Sequence, residues 1–128
     1  MKAVDVVKEA MDAFAAGGVD ALAGFYHPQA EIVGGPYFGP KATYTGGPDA
    51  LRRIMGDVEG EYDGFTVNPT IVRAGGIADR VLIEGIVTYV GGAWRSWWVV
   101  TVRDGKIARL EVFHEAPKAL LAAGLGDG

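Results

Sequence analysis

Few side chains in this sequence can move a proton or hold a metal. There are two histidines, five tyrosines and no cysteine. The lack of cysteine excludes disulfide frameworks, thiolate-bound zinc and a cysteine nucleophile. His114 ends a segment in which the alternate residues Ala108, Leu110 and Val112 are apolar. A histidine titrates near neutral pH, so one at the end of an apolar stripe can act as general acid or base. His27 precedes Pro28, and proline restricts the residue before it, so this histidine reads as structural. Tyr26, Tyr37, Tyr44 and Tyr89 can each donate a phenolic hydrogen bond to a ligand carbonyl. No HxxE, HxH or DxD spacing occurs, so no metal site is expected. The glycine-rich stretch 34–47 has no GxGxxG pattern, and no Gly-x-Ser-x-Gly motif is present. Neither a nucleotide cradle nor a serine nucleophile elbow is therefore expected, and no cofactor.

The elements that must position these groups can be read from periodicity. Val4, Val7, Met11 and Phe14 recur at spacings of three and four, which predicts a helix stopped by Gly17-Gly18. Asp20 can cap a short second helix carrying Leu22 and Phe25 and ending at His27-Pro28. Residues 30–33 read as a strand and residues 34–46 as a long loop. Pro48 opens a third helix with Ala50, Leu51, Ile54, Met55 and Val58 as its apolar stripe. Four strands follow, at Phe65 to Val72, Val81 to Val90, Trp94 to Arg103 and Ile107 to His114. Asp104-Gly105 is a strong hairpin signal between the last two. Pro117 opens a final short helix that Gly124 ends. Helices gathered at one end and strands at the other predict an α+β fold.

Length and composition bound the rest. A chain of 128 residues predicts one domain spanning 1–128. Hydrophobic residues make up 49% and charged residues 22%, which excludes intrinsic disorder. The net charge is −4 and no basic stripe is visible, so neither nucleic acid nor an anionic membrane is an expected partner. No apolar run reaches the roughly 18 residues of a membrane span. The N-terminal residues lack a secretory pattern, so a cytoplasmic location is expected. The 20 glycines fall mostly as pairs between patterned segments, where turns and bends belong.

Several segments, in order, resemble the SnoaL-like family of the nuclear transport factor two-like superfamily. They are Phe14 to Leu22, Tyr26 to Ile32, Thr45 to Arg52, Val102 to Leu110, and Ala119-Leu120 with Ala123 to Leu125. The resemblance implies a cone: a curved antiparallel sheet wrapped around three helices of the N-terminal half, with a short C-terminal helix. It also implies a mostly apolar interior pocket. Glycine kinks help a sheet to bend, and Gly85 lies within the Val81 to Val90 run.

The resemblance places Trp94, Ser96, Trp98, Val100 and Val102 on the inner face of their strand. Ala108, Leu110, Val112 and His114 are the inner set of the last strand, and Val81, Ile83, Gly85, Val87 and Tyr89 that of the Val81 strand. The expected ligand contacts are then Phe14, Tyr26, Tyr37, Met55, Tyr89, Trp94, Trp98, Leu110 and Val112, with His114 as the candidate catalytic residue. Tyr37, Phe38 and Tyr44 are placed to close the mouth. Arg95, Trp97, Val99 and Thr101 share the opposite face. A strand apolar on both sides is buried on both sides, which predicts a homodimer through that outer face. Glu84 is expected there too, paired with Arg95.

The resemblance does not carry over the chemistry of every branch. Where ketosteroid isomerases have a tyrosine, a base and an acid, this chain has Ala10, Gly34 and Trp98. Asp79 and Asp104 sit at expected turns rather than on inner strands. What remains is a domain with an aromatic-lined pocket for a small hydrophobic molecule. Either His114 gives it polyketide cyclase or isomerase-type activity, or it is a non-catalytic binder or dimeric scaffold.

Overall fold

The first helix, α1, runs Ala3–Ala23, but Gly18 inside it has φ 72° and ψ −156°. That backbone is not helical, and only glycine adopts it cheaply. The two expected helices are therefore one kinked pair in this computed structural model, which describes residues 2–35 and 43–126. Val6, Val7 and Ala10 are buried before the kink, and Leu22 and Ala23 after it. Tyr37 and Phe38 lie outside the described residues.

The expected helix end at His27-Pro28 is corrected. The helix stops at Gly24, and β1 spans Tyr26–Val33. Proline has no N–H to give to a ladder, so the strand bulges there. Tyr26 pairs with Ile107 and Glu31 with Arg109, so the register shifts between them. His27 stabilises the bulge: its Nδ1 accepts the Gln29 N–H at 3.1 Å, and its Nε2 is 3.8 Å from Asp104.

A two-residue strand, β2 (Thr43–Tyr44), pairs antiparallel with β1 inside the stretch expected to be loop. Helix α2 (Pro48–Glu61) buries Ala50, Leu51, Ile54 and Val58 of the expected stripe, and its fifth member, Met55, is half-buried. The strands β3 (Thr66–Ala74), β4 (Arg80–Tyr89), β5 (Gly92–Arg103) and β6 (Lys106–Phe113) form a meander, and α3 (Ala116–Ala122) closes it. Asp79 and Asp104 have φ of 67° and 54°, as turn residues do. The sheet order is β2-β1-β6-β5-β4-β3. Its edges do not meet, so the sheet is curved but unclosed. The sheet is mixed: β1 and β6 are parallel and the other pairs antiparallel. The chain crosses from β1 to the far edge through α2, then returns strand by strand, and this brings β6 beside β1 in the same sense.

Curvature has a local cause. The β3–β4 register shifts between Pro69 and Ile71, opposite Gly85. A Cβ at Gly85 would stand 2.5 Å from the Asn68 carbonyl oxygen, so the strands approach there as only glycine allows. Pro69 is tolerated because β3 is an edge strand.

The concave face carries α1, α2 and the main core, including Ile32, Ile54, Val81, Ile83, Val87, Trp98 and Val100. Helix α3 packs on the opposite face, where Ala119 and Ala123 cover Leu82 and Val99. This changes the expected picture of the outer face. Val99 is only 4% exposed because the chain's own helix covers it, and Trp97 packs beside it. The Arg80 guanidinium fixes the end of α3 by donating to the Ala122 carbonyl at 2.5 Å. Glu84 and Arg95 pair on this face as expected, with the Arg95 guanidinium 5.4 Å from the Trp97 ring centre. No helix among the described residues is long and apolar enough to cross a membrane.

Candidate functional site

The two helices do not fill the concave face. A cavity of about 50 Å³ remains between them and the sheet. Met11, Phe14 and Leu22 of α1 and Leu51, Ile54 and Met55 of α2 form its roof. Ile83, Trp98, Val100 and Leu110 form its floor, with Tyr26 at one side. A wider cleft of about 540 Å³ opens between the kinked part of α1, α2 and the edge strand β3. Met11, Phe14, Met55, Val67 and Pro69 line both spaces, so the cleft abuts the cavity across them. Glu59, Thr66 and Asn68 bring polarity to the cleft. The kink at Gly18 and the Pro69 bulge lie on its two sides, so the irregularities of the fold shape this opening.

The walls of the cavity are apolar. Among its lining residues only Tyr26 and Trp98 bring a side-chain O–H or N–H. Tyr26 is 4% exposed, and no hydrogen bond of its hydroxyl is found among the described residues. Burial pushes its phenol well above the usual tyrosine range, so it stays protonated and can donate. Tyr44 is the contrasting case. It is buried, and its hydroxyl donates to Asp57 Oδ2 at 2.6 Å. It ties β2 to α2 rather than closing a mouth.

His114 follows β6 directly and is half-buried. Its ring centre is 6.5 Å from that of Trp94, and Gly35 packs against its Nε2, where a Cβ would come within 2.5 Å. Burial lowers its pKa below the usual histidine value, which favours the neutral imidazole. Trp94 also meets Tyr62 at 4.8 Å and Tyr89 at 5.5 Å between ring centres.

The sequence-predicted site residues thus fall into two groups. Phe14, Tyr26, Met55, Trp98 and Leu110 line the cavity. Tyr89, Trp94 and His114 belong to an aromatic layer further along the same face. Leu110 and His114 are four residues apart on one strand face, about 13 Å at the usual strand rise. Val112 is buried in the core between them. Tyr37 is outside the described residues. Sequence reasoning did not choose a face for β3 and so missed Val67 and Pro69; it also expected Ala108 inside, whereas the β5–β6 register shift turns Ile107 into the cavity instead. No group of three His, Cys, Asp or Glu side chains is gathered for a metal among the described residues.

The element order, the kinked first helix and the curved sheet over an apolar cavity narrow the family, and the sequence comparison decides it. A model of the SnoaL-like domain matches residues 7–110. The chain belongs to the SnoaL-like domain family. No curated protein matches its sequence. Solved structures share the SnoaL-like fold at low identity. An NTF2-like protein from Burkholderia thailandensis is 23% identical, with TM-score 0.73 and 99% of each chain covered. A candidate polyketide cyclase from Sinorhizobium meliloti is 23% identical, with TM-score 0.66, 85% of this chain covered and 94% of that one. A candidate ketosteroid isomerase from Kribbella flavida is 17% identical, with TM-score 0.68, 88% of this chain covered and 77% of that one. At these identities the likeness concerns the SnoaL-like fold and not the chemistry. The three positions that depart from the isomerase pattern hold no acid or phenol here: Ala10 is buried, Gly34 follows β1 and Trp98 lines the cavity.

Proposed function

We propose that this SnoaL-like domain takes up a small hydrophobic molecule between α1, α2 and the concave face of the sheet. One observation carries the reading: an apolar cavity and a wide cleft share five wall residues, two of them methionines. The cleft has the size of ordinary small-molecule pockets, roughly 300–1,000 Å³. A dry cavity of about 150 Å³ holds benzene, so the inner cavity alone admits only the leading end of a ligand. The body then lies in the cleft. Methionine side chains repack easily, which lets Met11 and Met55 yield between the two spaces. The test is titration with 2-ethylnaphthalene, followed by tryptophan fluorescence. Saturable binding that Ile83→Trp weakens at least tenfold is expected. Binding unaffected by that substitution would place the molecule elsewhere.

A second reading makes the domain an enzyme of the cyclase or isomerase kind. The state of His114 favours it. Partial burial favours the neutral imidazole, and a neutral imidazole can take a proton alpha to a carbonyl. The assay is deuterium exchange at the alpha carbon of the simple ketone 1-tetralone, read as the rate above that without protein. His114→Ala is expected to abolish exchange while leaving binding intact, and a wild-type protein that exchanges nothing would end this reading.

The outer face is the proposed site for a second copy of the chain. Arg95, Trp97 and Thr101 are at least partly accessible there, while α3 already buries Val99. Sedimentation at micromolar concentration is expected to show a dimer that Trp97→Asp dissociates. A wild-type monomer would refute it.

A further inference from the structure

The hydroxyl of Tyr26 is a polar group of the cavity wall for which no hydrogen bond is found among the described residues. The residue is 4% exposed and lines a cavity whose other walls are almost wholly hydrocarbon. Buried polar groups in folded proteins almost always have a partner. Tyr44 satisfies that rule through Asp57. Tyr26 has no such partner among the described residues, and its place at the start of β1, paired with Ile107, is fixed by the sheet. A phenylalanine would pack equally well in these surroundings. The cavity is where a partner for the hydroxyl can arrive.

Resting on the small-molecule reading above, we infer that Tyr26 is a specificity residue: it selects hydrophobic ligands whose leading end carries a neutral oxygen acceptor, such as an aryl ketone. Three observations define that class. The hydroxyl can donate, so the ligand must accept. No lysine, arginine or histidine lines the cavity, so an anionic group would be buried without a counter-charge. The cavity of about 50 Å³ has room for an acyl end but not for a ring system, which the cleft accepts instead. The raised phenol pKa agrees, since the group remains a donor across the working pH range.

The experiment compares three probes on the whole chain: 2-acetylnaphthalene, 2-ethylnaphthalene and the anion 2-naphthoate. Each is titrated into the wild type and into Tyr26→Phe. In the wild type the ketone is expected to bind roughly three- to tenfold more tightly than the hydrocarbon, the worth of one neutral hydrogen bond. The anion is expected to bind no better than the hydrocarbon. Tyr26→Phe is expected to erase the ketone preference, so that ketone and hydrocarbon bind alike. A circular dichroism melt shows that the variant is folded. A preference that survives in Tyr26→Phe overturns the inference, as does a wild type without preference that still binds the hydrocarbon. Preferential binding of the anion overturns the neutral ligand class. If no probe binds, the small-molecule reading falls and takes this inference with it.

Discussion

Two tyrosines, both at least 96% covered, should respond in opposite ways to the same substitution. In Tyr44→Phe the lost hydroxyl donates to Asp57 Oδ2 at 2.6 Å. A hydrogen bond to a carboxylate contributes about 1.5–3 kcal/mol, and half-buried Asp57 regains only part of it from water. A loss of about 2 kcal/mol follows. Unfolding entropy of about 2.1 cal/mol/K per residue over 128 residues converts this into a fall in Tm of about 7 °C. In Tyr26→Phe the lost hydroxyl has no partner among the described residues, so its removal relieves a desolvated polar group. The Tm should stay level or rise by up to about 4 °C, corresponding to about 1 kcal/mol. Scanning calorimetry on the two variants, in one buffer and without added ligand, gives both numbers. A Tyr26→Phe loss as large as that of Tyr44→Phe would refute the reasoning. It would mean that the Tyr26 hydroxyl is already satisfied in the folded protein.

Two other perturbations probe the frame and the aromatic layer. Gly85→Ala puts a methyl carbon 2.5 Å from the Asn68 carbonyl oxygen, so the β3–β4 pair must shift, at a cost of about 2 kcal/mol; a denaturant melt with an unchanged midpoint would contradict that origin of the bend. Burial lowers the folded-state pKa of His114 below the roughly 6.5 of an unfolded histidine. As pH falls through that region the unfolded chain takes up the proton first, so the stability tied to neutral His114 is present above it and lost below it. The Tm of the wild type relative to His114→Asn should therefore decline from pH 7.5 to pH 5. A constant or rising difference would mean that the imidazole is not desolvated.

Much of the frame could be read in the sequence because it rests on short-range patterns. The stripe of α2, the meander β3 to β6 and the turn at Asp104 follow from periodicity and turn chemistry. Gly85 could be singled out because a glycine inside a β-branched run has little reason to be there except to bend it. The pairing of Glu84 with Arg95 followed from alternation. What stayed hidden depends on distant contacts. The parallel register of β1 on β6 joins residues some 80 positions apart, and nothing local announces it. His27-Pro28 looked like a helix end because proline punctuates strands and helices alike, and only the pairing with β6 shows it to be a bulge. Alternation sorted the strand faces and the family resemblance chose the concave one, correctly at Trp98 and Leu110, but alternation could not give depth. It therefore grouped His114 and Trp94 with residues that lie about 13 Å further along the same strands. The burial of Val99 also escaped it, because α3 was read as a terminal helix without a docking face.

The most direct test of a ligand site on the concave face uses the methionines. The chain has three, and Met11 and Met55 stand between cavity and cleft. With methyl-labelled methionine, a titration with 2-ethylnaphthalene can be followed by methyl resonances in the NMR spectrum. Occupancy of the site should move the Met11 and Met55 signals along one saturation curve, matching the fluorescence titration. Saturating probe that leaves both signals in place would contradict a ligand site between α1, α2 and the sheet.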